Sequence, residues 1–313
     1  MPKVFIHVGA HKTATSFLQA NLVANAAALE RQGWRVIDLQ KQFKKVRRQV
    51  VNVHHERQLG TNGKQRLDSF FEEVRNDPRD ILITYEGFLG GMSLAKGKIY
   101  PHHSVPIKML KESFPGRDIQ IGFCIRNFAD QAESSYNWRI AKGKTEKRFA
   151  KYAKKISVEK LSWLKIIECL SNTFGAENLV LWTFEEFKKD GVAAFAKIIQ
   201  AVGIDASDIV AAITTPKNVS PTVEQAHLLR AWHKALHSHL KISAKDAKAL
   251  KAELRGLLGQ LPRDAKAGGH LKPKKRKALT EHYEHEVAAI RERWADRMLD
   301  FSPGPSETRS SPR

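Results

Sequence analysis

Apolar positions in the first 205 residues follow two rhythms. Short, mostly apolar segments alternate with stretches where apolar residues recur every three or four positions. Residues 3–8, 34–39, 80–85, 119–125 and 178–184 are runs of the first kind, and each predicts a buried strand. Phe17, Leu18, Leu22, Ala26 and Leu29 follow the second rhythm and predict one helix from Thr15 to a stop at Gly33. Further helices are expected at 67–74, from about Ala129, at 161–174 closed by Gly175, and at 192–202 ended by Gly203. Strand–helix alternation of this kind implies an α/β fold: a single domain with a P-loop-like start and a mostly parallel central sheet flanked by helices.

Beyond residue 205 the pattern is helical. Ser220-Pro221 reads as an N-cap with Pro at the first helical position, and helices are expected over 221–238, 244–260 and 275–299. Residues 262–273 read as a loop, and the Ser/Pro-rich 302–313 as a disordered tail. The expected organisation is a core over 1–220, a helical extension packed on it over 221–301, and the tail.

Composition narrows the class. The chain has 313 residues, 42% hydrophobic and 27% charged, as in a folded globular protein. No apolar run is long enough for a membrane span, and the apolar start is too short for a signal sequence. Cys124 and Cys169 are too few for a disulfide framework or a Cys-rich zinc site, so a reducing, cytoplasmic setting is expected. The net charge of +20 is concentrated in 41–66, 139–160 and 233–278. Such segments serve as solvated faces, as a nucleic-acid footprint, or as walls of a cleft for an anionic substrate.

In parallel sheets, ligands bind at the carboxyl ends of strands. Three groups lie there. The first is Gly9-Ala10-His11-Lys12-Thr13-Ala14-Thr15-Ser16, a strand-to-helix turn with a cation and three hydroxyls at a helix start. Unpaired N–H groups and the helix dipole make such a turn an anion site. The spacing from Gly9 to Lys12 is too short for a Walker loop. The second group runs from Arg126 at a strand end to Ser134, two helical turns on. An arginine there suits bidentate binding of phosphate. The third is Tyr85-Glu86-Gly87, where Glu86 is the candidate general base. His54, His55, His102 and His103 are rival bases, ranked lower because paired histidines in polar loops are commonly solvated. No His/Cys/acid cluster has metal-ligand spacing, so no metal is expected.

Together, the first two groups resemble the 5′-phosphosulfate loop and 3′-phosphate motif of sulfotransferases that use 3′-phosphoadenosine 5′-phosphosulfate (PAPS), in particular the bacterial, carbohydrate sulfotransferase-like branch. His7-Val8-Gly9-Ala10-His11-Lys12-Thr13-Ala14-Thr15-Ser16 is similar to His-x-Gly-x-His-Lys-Thr-Gly-Thr-Thr, and Arg126 to Tyr136 to Arg-Asn-Pro-x-Asp-Arg-x-x-Ser-x-Tyr. Residues 174–179, Phe184-Glu185 and Asn218-Val219-Ser220 extend the resemblance over about 3–220. The chain departs from the pattern at Ala14, Ser16, Phe128 and Gln131. Of these, Ala14 stands where a glycine would let the backbone approach phosphate.

The resemblance implies that Lys12 stabilises charge on the departing nucleotide. It implies that Thr13, Ala14, Thr15 and Ser16 bind the 5′-phosphosulfate, and that Arg126 and Ser134 bind the 3′-phosphate. The implied reaction is in-line transfer of a sulfuryl group to an acceptor hydroxyl or amine, with PAPS as co-substrate and a carbohydrate or small hydroxylated molecule as acceptor; the basic segments suit an anionic one. No nucleic-acid partner is expected. A P-loop nucleotide kinase and a non-enzymatic polyanion-binding protein are the alternatives. The first is disfavoured by the short loop and the lack of an apolar strand ending in Asp; the second rests on charge alone.

Overall fold

The computed structural model describes residues 1–39, 61–92, 94–210, 212, 220–238, 244–260 and 269–302. His54, His55, most of the basic segment 41–66, most of the loop at 262–273 and the tail from 303 on lie outside them.

The central sheet has five strands in the order β2-β3-β1-β4-β5. These are β1 (Lys3–Gly9), β2 (Trp34–Ile37), β3 (Asp80–Thr84), β4 (Asp118–Ile125) and β5 (Leu179–Thr183). All neighbouring pairs are parallel. The strands β1, β3 and β5 are buried on both faces along most of their length, which explains their mostly apolar sequences, while the edge strand β2 is only partly covered. Gly122 shows how tight the packing is, since a Cβ there would sit 2.5 Å from the Phe5 ring.

The helices in chain order are α1 (Thr15–Ala24), α2 (Ala26–Arg31), α3 (Thr61–Asn76), α4 (Ser104–Ser113), α5 (Phe128–Ala141), α6 (Phe149–Ala153), α7 (Leu164–Phe174), α8 (Phe184–Phe187), α9 (Gly191–Ala201), α10 (Val223–Ser238), α11 (Ala244–Gln260) and α12 (Pro273–Arg293). One face of the sheet carries Phe5, Leu82, Cys124 and Trp182 against Leu18, Leu22, Phe195 and Ile198 of α1 and α9. The other carries Val4, Ile6, Ile83 and Phe123 against α3, α4, α5, α7 and α12. Period-2 alternation along the strands decides which residue meets which helix layer. Among the described residues, no helix is long and apolar enough to cross a membrane.

Several helix boundaries differ from the pattern-based expectation: the helix expected over 67–74 runs Thr61–Asn76, that from 161 starts at Leu164, and that over 275–299 runs Pro273–Arg293; two further differences have a local cause. The helix expected from Thr15 to Gly33 is broken at Asn25, whose side-chain amide donates to the Asn21 and Val210 carbonyls, both at 2.8 Å. Asparagine competes with the backbone in this way and interrupts helices. The helix expected after Ser220-Pro221 begins at Val223 instead. Thr222 and Gln225 form a reciprocal capping pair, with Thr222 N donating to Gln225 Oε1 at 3.0 Å and Gln225 N donating to Thr222 Oγ1 at 3.2 Å.

The C-terminal helix α12 is tied to α5 through buried polar groups. The Glu133 carboxylate, only 3% exposed, accepts from the backbone of Gly269 and Leu271 and pairs with Arg276, which also binds Asp130 at 2.7 Å. Glu286 of α12 accepts from Trp163 N at 2.7 Å. Buried carboxylates need this degree of satisfaction, and α12 is therefore fixed in register on α5.

Candidate functional site

The site is built on the turn from β1 to α1. Gly9 leaves the strand at φ 128°, a conformation that favours glycine. Its Cα also lies close to the turn after β3: a Cβ at this position would come within 3.5 Å of the Glu86 carbonyl and 3.6 Å of the Tyr100 hydroxyl.

The carbonyls of the turn are held by side chains. Ala10 O accepts from Thr13 Oγ1 at 2.6 Å, His11 O from Gln131 Nε2 at 3.0 Å, and Lys12 O from Arg126 Nη1 at 2.6 Å. Lys12 (φ 69°) and Ala14 (φ 59°) are both left-handed. Alternation of left- and right-handed residues turns successive N–H groups toward one side and forms an anion-binding concavity. Among the described residues, the backbone N–H groups of Lys12, Ala14 and Thr15 have no acceptor. The start of α1 has no side-chain cap and no acidic residue in its first turn. The positive end of the helix dipole is thus uncompensated there.

Each hydroxyl in the turn has a different environment. Thr13 is buried and bound to Ala10. Ser16 is exposed in the first turn of α1. Thr15 is 3% exposed, and its Oγ1 is sealed from solvent with no hydrogen-bond partner. Leaving a buried hydroxyl unmatched is costly, so Thr15 would gain from a hydrogen bond, which a ligand at the helix start could supply only if the side chain turned toward it.

Positive charge converges on this point. The Lys12 ammonium has its pKa lowered by burial, with Glu86 acting to raise it and Arg126 and Lys142 acting to lower it. Arg126 lies with its guanidinium 4.4 Å from the centre of the Phe184 ring, and its Nε is sealed without a partner. Burial lowers its pKa, and no carboxylate among the described residues is within ion-pair distance. Lys142 follows α5, near the start of the basic segment 139–160, and its charge reaches Lys12.

Glu86 sits half-buried in the turn after β3, where its charge acts on His11, Lys12 and Tyr100. Lys12 and Glu86 are therefore brought together. Ser134 is buried on α5 and makes no hydrogen bond among the described residues. His103 is engaged with the Tyr100 carbonyl at 2.9 Å. The N-terminus of α5, unlike that of α1, is filled: Glu185 Oε1 accepts from Asn127 N at 2.9 Å and Asn127 Oδ1 from Ala129 N at 2.9 Å. Among the described residues, no group of three or more His, Cys, Asp or Glu side chains is placed to hold a metal.

Tyr100, Gln131, Lys142 and Phe184 reach the turn without having been singled out for it. Gln131 appeared only as a departure from a motif. Tyr100 carries no local signal, because its role depends on a contact across 89 residues.

No family model matches the chain, and no curated protein matches it. Solved structures that are similar in shape include two sulfotransferases. A sulfotransferase from Alicyclobacillus acidocaldarius is 15% identical with a TM-score of 0.44, over 84% of this chain and 97% of its own. The mouse sulfotransferase SULT7A1 complexed with PAP is 13% identical with a TM-score of 0.42, over 94% of this chain and 88% of its own. At these scores the likeness is loose, and any functional reading rests on the residues of the turn.

Proposed function

We propose that this chain is a sulfotransferase that takes the sulfuryl group from PAPS and passes it to a hydroxyl or amine of a carbohydrate acceptor. The observation that carries this reading is the open start of α1: unmatched N–H groups and the sealed, unpartnered Thr15 hydroxyl, with Lys12 beside them. That combination fits a tetrahedral polyanion such as the 5′-phosphosulfate. Bound PAPS supplies a sulfuryl group already activated by its anhydride bond to phosphate.

The chain's own residues bind, orient and move a proton. Thr13, Ala14, Thr15 and Ser16 hold the phosphosulfate through backbone N–H and hydroxyl groups. Lys12 stabilises negative charge on the departing nucleotide, and Arg126 with Ser134 binds the 3′-phosphate. Arg126 also braces the turn through the Lys12 carbonyl. Glu86 takes the acceptor's proton. Fixed charges of this kind lower the barrier without reorganising during the reaction. The cationic segment that includes Lys142 suits an acceptor that is itself anionic. In this reading 1–220 is the donor-binding core, 221–301 braces α5, and the enzyme works in the cytoplasm with both cysteines reduced.

Isothermal titration with 3′-phosphoadenosine 5′-phosphate (PAP) tests the reading. PAP binds the wild type and binds Lys12→Ala roughly 10- to 100-fold more weakly, the range for losing a hydrogen bond to a charged group. ATP binding as tight as PAP binding would favour a kinase, and no nucleotide binding would overturn the proposal.

A further inference from the structure

His11 and Tyr100 form a pair whose hydrogen-bond accounting has one solution. The Tyr100 oxygen accepts from the His11 backbone N–H at 2.7 Å and lies 2.7 Å from His11 Nδ1. A phenol has a single proton to donate. With the backbone N–H pointing at its oxygen, Tyr100 satisfies its proton only by donating to Nδ1. Nδ1 must then carry a lone pair, and the ring's own proton must sit on Nε2. Tyr100 is fully buried, so its hydroxyl has no water to turn to.

Tyr100 is held firmly for this task. Its φ of 40° is left-handed, which is rare for a bulky residue. Its carbonyl is pinned by His103 N at 3.1 Å and His103 Nδ1 at 2.9 Å, and its ring lies between those of His11 and Trp163. Strained residues held by their surroundings concentrate at functional sites. At the other end of the pair, His11 is only half-buried. Its Nε2 has no partner among the described residues and is not among the atoms sealed from solvent.

We propose that Tyr100 is a positioning residue that fixes neutral His11 as its Nε2–H tautomer, giving the anion site at Lys12 a neutral hydrogen-bond donor for an oxygen of the 5′-phosphosulfate. The ligand named here rests on the donor-site reading above; the tautomer does not. The titratable and charged groups acting on the imidazole are Glu86 from the turn after β3, Lys12 from the β1–α1 turn, and Tyr100 itself. Burial lowers the pKa of His11, Glu86 acts to raise it, and Lys12 acts to lower it. A neutral donor leaves the charge balance at Lys12 unchanged, whereas an imidazolium beside the ammonium would repel it.

Two-bond ¹H–¹⁵N spectra of the full chain, with His11 assigned by comparison with His11→Gln, test the tautomer directly. At pH 7 the wild type shows a protonated Nε2 and an unprotonated Nδ1. Adding PAP moves the Nε2 resonance and leaves the tautomer in place. In Tyr100→Phe the Nδ1 proton donor is gone, so the His11 pKa rises and the Nδ1–H form becomes populated, neither of which a purely space-filling Tyr100 would cause. His11→Ala weakens PAP binding about tenfold, and His11→Gln, whose amide N–H replaces Nε2–H, recovers most of that loss. An Nδ1–H or doubly protonated His11 in the wild type at pH 7 overturns the proposal even if PAP binds normally. Absence of PAP binding to the wild type would instead strike at the donor-site reading and leave the tautomer result standing.

Discussion

Thr15→Val separates stability from ligand binding at a single atom. The replacement keeps the branched shape of a 3% exposed side chain and removes the Oγ1 that has no partner. An unmatched buried hydroxyl costs about 1–3 kcal/mol, so the ligand-free variant should be more stable by roughly 1 kcal/mol once imperfect packing is allowed for. For a chain of 313 residues that raises Tm by roughly 1.5 °C. With PAP the order reverses. Loss of one hydrogen bond to a charged ligand weakens binding about thirtyfold, the middle of the expected range. At a PAP concentration a hundred times the wild-type Kd, the wild type gains about 2.7 kcal/mol and the variant about 0.9 kcal/mol. The wild type is then ahead by roughly 0.8 kcal/mol after the variant's initial advantage is subtracted. Thermal unfolding scans of both proteins across a PAP titration should therefore cross. A variant that is less stable without ligand, or that binds PAP as tightly as wild type, would refute the claim that Thr15 Oγ1 waits for the ligand.

Two further outcomes follow from the same geometry. Glu86→Gln should keep PAP affinity within about threefold while turnover with labelled PAPS, measured on an acceptor found by screening glycans and hydroxylated small molecules, drops by about 10²–10⁴; normal turnover would assign the base elsewhere. His7 is 1% exposed and stacked on Trp182, and burial lowers its pKa from 6.5 to about 4. Between those values the unfolded chain binds more protons than the folded one, so stability is lost as pH falls from about 6.5 to about 4 and no further below that. The loss is on the order of 3 kcal/mol. Urea denaturation at pH 7 and pH 4.5 should show this acid-sensitive component in the wild type and not in His7→Gln, and an equal pH response in both would remove His7 as its source.

The sequence by itself determined the sheet and the location of the anion site. Short, mostly apolar segments such as Leu179-Val180-Leu181-Trp182, bounded by turn signals, pointed to strands covered on both faces. The cluster of Gly9, Lys12 and hydroxyl residues at a strand-to-helix turn announced an anion site through local chemistry alone. Local chemistry also contained the break at Asn25 and the Thr222–Gln225 capping pair, although apolar spacing and the more obvious Ser220-Pro221 pair pointed elsewhere.

Only the tertiary structure decided which groups in that turn are spent and which are open. Thr13, Thr15 and Ser16 look alike in sequence, but one is bound to Ala10, one is sealed without a partner and one is exposed. The groups that hold the turn's carbonyls, Arg126 and Gln131, come from more than a hundred residues away, and Tyr100 from 89. Hydrogen bonding is directional and short-ranged, so its outcome depends on which strand ends the parallel sheet places side by side, and no local pattern encodes that.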